Sequence, residues 1–323
     1  MRRSPRTMTL AALGGAALTL PLLAVPAAQA ATAPTPVPSP SARAQATGGA
    51  EQQRVLRFWT RQRMASATPM EKLFKPKGVD LAAVRRGLAK LVPMSVPNGG
   101  AAWTGGGAVT KTAGRVFFTY QGRTASCSGD AVTSTNKSTV VTAGHCVKLD
   151  GAWHTDWVFV PGYKDGDRPY GTWTASKTLS TPQWTASEDL NYDVGAAVVN
   201  PVDGKKLVDT VGGQGIAFNQ ARGQSMYAFG YPAAAPYDGS KLTYCSGTVI
   251  DDFLQSSDLG LDCDMTGGSS GGPWFLNFGE SAGTGIQNSV NSFKYNLPFL
   301  SDYMFGPYFG TDAQNLYNTA QSS

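Results

Sequence analysis

The chain has 323 residues, a formal net charge of +5 and 41% hydrophobic residues, which is enough for a folded protein with a substantial core. The charge is unevenly distributed: residues 1–110 hold 14 Lys and Arg against 3 Asp and Glu, whereas residues 111–323 hold 13 against 19. Both histidines and all four cysteines lie in the acidic part. A protein that binds nucleic acid or an anionic membrane needs basic charge on its folded surface, so this distribution argues against both classes.

The first 30 residues have the order of a secretory signal peptide. A basic start with three arginines is followed by an uncharged apolar run over residues 10–25, and then by Ala28-Gln29-Ala30, a small-x-small cleavage site. A retained anchoring helix is the alternative, but glycines and prolines at positions 14, 15, 21 and 26 interrupt the apolar run. We therefore expect cleavage after Ala30 and a secreted, extracellular protein without a membrane partner.

Residues 31–110 are predicted to form an Ala/Pro-rich linker and a basic, partly helical pro-segment. Residues 31–50 have the composition of an extended linker. Helices are expected over residues 52–64, with Val55, Leu56 and Trp59 on the apolar side, and over residues 81–91. The opposite charges of the two parts suggest that this segment packs on the acidic module before its removal. A basic linker that merely follows the signal is the alternative.

From residue 111 onward, short runs of β-branched and aromatic residues alternate with Gly, Asp, Asn and Ser turns. The predicted strands cover residues 115–120, 138–143, 156–161, 193–200, 225–230, 243–250 and 283–290. Many short strands without long amphipathic helices indicate an all-β sandwich or a pair of barrels. Residues 111–323 are thus predicted to form the functional module.

Four cysteines fit an oxidising compartment and two disulfides, for which three pairings exist. We favour Cys127 with Cys146 and Cys245 with Cys263, because each pair closes a short local loop. A zinc site is the alternative use of cysteine and histidine, but the sequence has no CxxC or HxxxH spacing. We expect no metal and no other cofactor.

The two histidines differ in their surroundings. His145 lies in VVTAGHC, where a strand end tied by a disulfide at the next residue would hold a general base rigidly. His154 has no such frame and is interpreted as a surface turn residue. Asp193, just before an apolar strand, is preferred over Asp189 as the carboxylate that orients the imidazole, because Asp189 lies in a polar stretch.

The stretch TGGSSGGP, residues 266–273, offers two candidate nucleophiles, Ser269 and Ser270. Its glycines permit a strained turn and allow backbone N–H groups to face a developing oxyanion, although a plain Gly/Ser turn has the same composition. The stretch also matches the G-x-S-x-G elbow of α/β-hydrolases, which need a histidine after the serine, and no histidine follows His154. The order that remains is His145, Asp193, Ser270, in a β-rich chain.

These motifs resemble those of the chymotrypsin/trypsin-like serine protease family, in its secreted bacterial branch. TAGHC, residues 142–146, matches the family's histidine motif in full, and GSSGGP, residues 268–273, matches G-D-S-G-G-P at all but one position. YDVGAAVV resembles the aspartate motif more loosely. The resemblance covers about residues 115–300. It implies two six-stranded antiparallel β-barrels, with residues 111–323 as a trypsin-like serine protease domain.

Carried over position by position, the resemblance implies that His145 is the general base, Asp193 its orienting partner and Ser270 the nucleophile. Gly268 and Ser270 would donate the N–H groups of the oxyanion hole. The family's aspartate before the nucleophile is Ser269 here, and no Ile-Val-Gly-Gly start occurs near residue 110. We therefore do not expect activation through an N-terminal ion pair. We expect that the pro-segment controls activity in another way. We expect a monomer that acts on proteins or peptides.

Four residues are predicted to lie in the substrate pocket: Asp264, Gln287, Asn288 and Ser289. Asp264 stands six residues before Ser270, the offset at which trypsin-like enzymes carry the acid that binds Lys or Arg; an acidic turn residue is the alternative. Glutamyl endopeptidase and its relatives resemble the chain in overall design, but the pocket histidine of the streptomycete glutamate-specific enzymes is absent. A hypothesis of another class is a protease-like binding protein without turnover.

Overall fold

Short β-strands dominate the computed structural model, which describes Met1 and residues 38–74, 98–297 and 300–323. The strands of the first part of the chain are β1 (Ser41–Ala44), β2 (Thr68–Pro69), β3 (Asn98–Ala102), β4 (Ala113–Tyr120), β5 (Arg123–Ala131), β6 (Thr139–Thr142), β7 (Lys148–Leu149), β8 (Ala152–Trp153), β9 (Thr155–Pro161), β10 (Trp173–Ser180) and β11 (Gly195–Val199). Those of the second part are β12 (Gly215–Ile216), β13 (Ser225–Gly230), β14 (Thr243–Thr248), β15 (Ile250–Asp251), β16 (Leu259–Asp262), β17 (Pro273–Gly279), β18 (Thr284–Val290) and β19 (Tyr303–Gly306). All seven predicted strands are present, and the predicted all-β class is confirmed.

The described helices are short. They are α1 (Gly49–Phe58), α2 (Arg61–Ala65), α3 (Val109–Thr112), α4 (Pro182–Ser187), α5 (Leu207–Val211) and α6 (Thr311–Gln321), with 3₁₀ turns at Met70–Lys72, Gly144–Cys146 and Leu190–Tyr192. None of the helices in the described residues is long and apolar enough to cross a membrane. The predicted helix over 52–64 is two helices, because the Thr60 hydroxyl accepts the Arg63 N–H and starts α2. The predicted signal and the helix over 81–91 lie outside the described residues.

Six strands close the first barrel, in the order β4, β5, β6, β11, β10, β9, with β9 pairing back onto β4. Successive side chains of β4 point to opposite faces, so Val116 and Phe118 enter the barrel core while Phe117 joins a second cluster. In the pairing of β6 with β11, Thr142 lies opposite Gly195. The end of β6 and the start of β11 therefore meet at one edge of the barrel.

The second group of strands consists of a six-stranded sheet, β12-β18-β17-β13-β14-β3, and a three-stranded sheet, β15-β16-β19. The Cys245–Cys263 disulfide links β14 to the residue that follows β16, and Cys127–Cys146 links β5 to the turn after β6. Both pairings are the ones that the sequence predicts. Because β3 contributes a strand to the larger sheet, packed structure extends before residue 111.

The segment 38–74 lies against the first barrel. Its strand β1 pairs with β10, and β2 pairs in parallel with β5. Between these strands the Trp59 side chain is buried, packs against Phe117 and donates its indole N–H to the Asp156 carbonyl at 2.6 Å. Arg54 adds a salt bridge to Asp156 at 2.8 Å. Part of the basic segment is thus packed against, and paired with, the strands of residues 111–323, here called the β-module.

Replacing Trp59 by Ala should lower the free energy of unfolding by about 3–5 kcal/mol, because the substitution opens a cavity in this contact and leaves the Asp156 carbonyl unpaired. Gln53→Ala, at an exposed position of α1, is the matched control and should change it by less than about 0.5 kcal/mol. Urea unfolding of the full chain measures both variants. Equal midpoints for the two would contradict the packing of this segment.

Candidate active site

His145, Asp193 and Ser270 meet where the first barrel faces the loop between β16 and β17. His145 lies in the 3₁₀ turn after β6, and Asp193 follows the 3₁₀ turn before β11, so the register of these two strands brings them together. His145 Nδ1 is 2.7 Å from Asp193 Oδ2, and His145 Nε2 is 2.7 Å from Ser270 Oγ. All three residues are fully buried. The structure thus brings together the three residues that the sequence singled out.

The Asp193 carboxylate has two further partners. Its Oδ1 accepts the backbone N–H of His145 at 2.8 Å, and its Oδ2 accepts the Ser292 hydroxyl at 2.5 Å. A buried carboxylate with several donors is held in one orientation. The sequence did not predict this contact of Ser292, because the residue lies in the polar run after β18 and belongs to none of the three motifs.

The imidazole of His145 responds to opposing influences. Burial is the largest and disfavours the charged ring, but the charge of Asp193, its hydrogen bond and the charge of Glu71 outweigh it and raise the pKa of His145 above its ordinary value. An imidazole with a raised pKa that is hydrogen-bonded to a hydroxyl has the arrangement of a general base, because it accepts a proton readily.

The glycines of the loop 266–273 are required by its geometry. Gly268 has φ of +101° and Gly271 has φ of +78°, conformations that favour glycine. A Cβ on Gly271 would also fall 2.0 Å from the Thr142 hydroxyl. This backbone turns the N–H groups of Gly268 and Ser270 toward one acceptor, the carboxylate of Glu71, at 2.6 and 3.1 Å. The two residues predicted for the oxyanion hole therefore have converging donors.

The two adjacent serines have different environments. Ser270 Oγ points to His145, whereas Ser269 Oγ donates to the Thr266 carbonyl at 2.8 Å within its own loop. The Ser269 carbonyl accepts the Asn291 side-chain amide at 3.0 Å, which ties the loop to the residue after β18. Ser269 therefore has a local structural environment, and only Ser270 faces the imidazole.

A cavity of about 470 Å³ lies beside the loop that carries Ser270, with Thr266 and Gly267 in its lining, and it differs from the predicted pocket. Its lining includes Phe293, Lys294, Tyr295 and Met304. Lys294 donates to the Cys263 and Met265 carbonyls at 2.7 and 3.3 Å. Burial lowers the pKa of Lys294 to about 8, although the carboxylates of Asp302, Asp264, Asp262 and Glu71 oppose this effect. The cavity therefore has a cation in its wall.

The structure corrects the four predicted pocket residues, because none of them lines this cavity. Asp264 is exposed: its backbone N–H bonds to Gly99 of β3, and its carboxylate accepts the Tyr237 hydroxyl at 2.6 Å. The side chains of β18 are used inside the second group of strands, where Gln287 donates to the Ser289 carbonyl, Asn288 to the Ala217 carbonyl and Ser289 to the Pro307 carbonyl. The part of the chain that follows β18 lines the cavity from Ser292 onward, and Glu71 and Phe74 line it as well.

His154 was predicted at the surface, and this is wrong. The ring is buried and stacks on Phe118 with centroids 4.2 Å apart. Its Nε2 lies 2.9 Å from the carbonyl of His145, an acceptor, so Nε2 carries the proton and donates. Burial lowers the pKa of His154 to about 3, so the ring is neutral at pH 7 and supports the backbone of His145.

Among the described residues, the side chains close enough to share a cation are Cys127, His145 and Cys146. The two sulfurs are bonded to each other in a disulfide, so they are not available as thiolate ligands.

No protein-family model matches the sequence. Over 176 residues the chain is 32% identical to the extracellular metalloprotease of Bacillus subtilis strain 168, and it spans about half the length of that curated relative, 53% of each chain being covered. Among solved structures it is similar to the protease Anisep from Arthrobacter nicotinovorans, with 48% identity, a TM-score of 0.61 and coverage of 66% of this chain and 96% of Anisep.

Two further solved structures are similar. The thermostable serine protease AL20 from an extremophilic microorganism shares 43% identity, with a TM-score of 0.63 and coverage of 67% of this chain and 99% of AL20. A Glu endopeptidase shares 16% identity over 72% of this chain and 100% of its own length, with a TM-score of 0.55, and supports the fold alone. The chain belongs to the chymotrypsin-like serine proteases. These neighbours support a serine-type endopeptidase, and the predicted family and fold class are confirmed.

The neutral state of His154 should make stability depend on pH. The folded chain keeps this ring neutral down to about pH 3, whereas the unfolded chain protonates it near pH 6.5, so stability falls as pH drops from 6.5 toward 3. This one group contributes up to about 1.4 kcal/mol per pH unit. Urea unfolding between pH 6.5 and 4 should show a shallower slope for His154→Gln than for the unsubstituted chain. Identical slopes would contradict a buried neutral His154.

Asp264 should have little influence on substrate choice, because its carboxylate bonds Tyr237 outside the cavity. In the active protein, Asp264→Asn should change the ratio of kcat/KM for arginine and leucine substrates by less than about threefold. A pocket carboxylate paired with the substrate guanidinium would contribute about 2 kcal/mol or more, about thirtyfold. A loss of about thirtyfold in kcat/KM for the arginine substrate would contradict this position and indicate that Asp264 lies in the substrate pocket.

Proposed function

We propose that His145, Asp193 and Ser270 form a catalytic triad that hydrolyses peptide bonds through an acyl-enzyme. The observation that carries this proposal is the unbroken chain of hydrogen bonds, 2.7 Å from Asp193 to His145 and 2.7 Å from His145 to Ser270, beside two converging backbone donors. Such a chain activates a hydroxyl that is otherwise a weak nucleophile.

In the first half of the reaction, Ser270 Oγ attacks the carbonyl carbon of the substrate while its proton passes to His145 Nε2. The N–H groups of Gly268 and Ser270 stabilise the negative charge that forms on the carbonyl oxygen. When the C–N bond breaks, His145 returns the proton to the departing amine. Water then takes the place of the amine and attacks the ester carbon while it loses a proton to His145, and His145 returns that proton to Ser270 Oγ as the ester C–O bond breaks and the acid is released. Small acyl esters fit the same site.

We further propose that the protein is exported and is made as a precursor. The basic and apolar order of residues 1–30 and the two disulfides support export. The pairing of β1 with β10 and the burial of Trp59 support a pro-segment that docks on the protease domain. This segment is the zymogen part of the chain in this proposal.

Ser270→Ala should abolish turnover, with a loss of about 10⁴-fold or more, because no second hydroxyl faces His145 Nε2 among the described residues. Ser269→Ala is the matched control one residue away and should retain a substantial fraction of kcat/KM, since the Ser269 hydroxyl bonds only to the Thr266 carbonyl of its own loop. Peptide hydrolysis by the active protein and labelling with a fluorophosphonate probe measure both variants. An active protein that is never labelled at Ser270, or one that is inactive throughout, would contradict the triad and favour a protease-like binding protein.

A further inference from the structure

The carboxylate of Glu71 lies where a reacting carbonyl oxygen would have to bind. Its Oε2 accepts the Gly268 N–H at 2.6 Å, and its Oε1 accepts the Ser270 N–H at 3.1 Å and the Ser270 hydroxyl at 2.5 Å. These donors are the two proposed oxyanion-hole groups and the proposed nucleophile. A substrate cannot reach them while Glu71 is present, because each donor is already hydrogen-bonded.

The residues around Glu71 hold it there from both sides. On one side, Pro69 of β2 lies opposite Ser126 of β5, and the Met70 side chain is fully buried against the first barrel. On the other side, the ring of Phe74 stacks on His145, with centroids 4.6 Å apart and planes 11° apart. The segment therefore crosses the whole site and covers the imidazole as well as the hydroxyl.

The chemistry at this contact is unproductive. Hydrolysis needs a main-chain carbonyl with an electrophilic carbon, whereas a side-chain carboxylate is an anion that resists attack by a hydroxyl. The Ser270 hydroxyl has one proton, and a proton donated to Glu71 is not available to His145 Nε2. A site built to stabilise a negative oxygen also binds a negative carboxylate well, so the features that favour catalysis favour this contact too.

We propose that Glu71 is an intramolecular inhibitor that keeps the precursor inactive by occupying the oxyanion hole, with Phe74 shielding His145. No bond is made or broken in this state, and removal of the segment exposes the site unchanged. The proposal depends on the proposed function, since it assigns an inhibitor to the same triad. It also explains how activity can be controlled in a chain that has Ser269, and not an aspartate that could form an ion pair, at the position before the nucleophile.

The rate at which a fluorophosphonate labels Ser270 in the full chain tests this proposal, because the phosphoryl oxygen of the probe needs the oxyanion hole that Glu71 fills. Glu71→Ala should label at least tenfold faster than the unsubstituted chain, and Glu71→Gln should label faster by a smaller factor because it loses the charge but keeps an acceptor. Two matched controls are Glu51→Ala, the other acidic residue of the segment 38–74, and Lys72→Ala, next to Glu71 and exposed. Both should label at the unsubstituted rate.

The outcomes separate the two proposals. Equal labelling of the unsubstituted chain and Glu71→Ala, both measurable, would overturn the inhibitor and leave the triad intact. Labelling of Ser270 that appears only after limited proteolysis of the segment, with Glu71→Ala precursor still unlabelled, would also overturn the role of Glu71. If no form is labelled, before or after proteolysis, the proposed triad itself fails. Circular dichroism of each variant, together with Glu71→Gln as the nearly isosteric change, separates loss of inhibition from loss of folding.

Discussion

The buried carboxylate of Asp193 is the interaction on which the site depends. A fully buried charge is costly unless it is paired and hydrogen-bonded, and Asp193 meets this requirement with the ring and backbone of His145 and with the Ser292 hydroxyl. These partners come from two separate stretches of chain, so the carboxylate, which itself lies just before β11, links the turn after β6 to the residues after β18. Because Asp193 bonds both the ring and the backbone of His145, the imidazole has little freedom to change position.

The loop that carries Ser270 meets a different constraint, namely that its backbone must present N–H groups inward in a very crowded space. Gly268 and Gly271 satisfy it because they have positive φ and because a Cβ would collide with neighbouring atoms. Side chains from other elements hold the loop: the Ser128 hydroxyl donates to the Gly268 carbonyl and the Asn291 amide to that of Ser269. The loop is thus rigid although its composition is that of a flexible turn.

The sequence allowed good prediction where a local pattern decides the structure. Short runs of β-branched and aromatic residues between turns predicted the strands, and the short loops between cysteines indicated both disulfides. It failed where the outcome depended on a distant element. Asp264 lies outside the cavity because it is hydrogen-bonded to Gly99 and Tyr237. His154 is buried because its ring stacks on Phe118 of β4. The residues next to Ser292, Lys294 and Glu71 in the sequence give no sign of their positions at the site, since these contacts form only when remote segments meet.

Two carboxylates therefore contact the hydrogen-bonded pair His145 and Ser270 from opposite ends, and they belong to different parts of the chain. Asp193 is fully buried and contacts the Nδ1 side of His145, where its charge raises the pKa of the ring. Glu71 contacts Ser270 on the Nε2 side, in the position that the proposed mechanism assigns to the oxygen on which charge develops. The first carboxylate belongs to the β-module and the second to the segment 38–74, which the module binds through β1, β2 and Trp59. If that segment is removed as proposed, Glu71 goes with it, whereas the partners of Asp193, His145 and Ser292, remain in the chain.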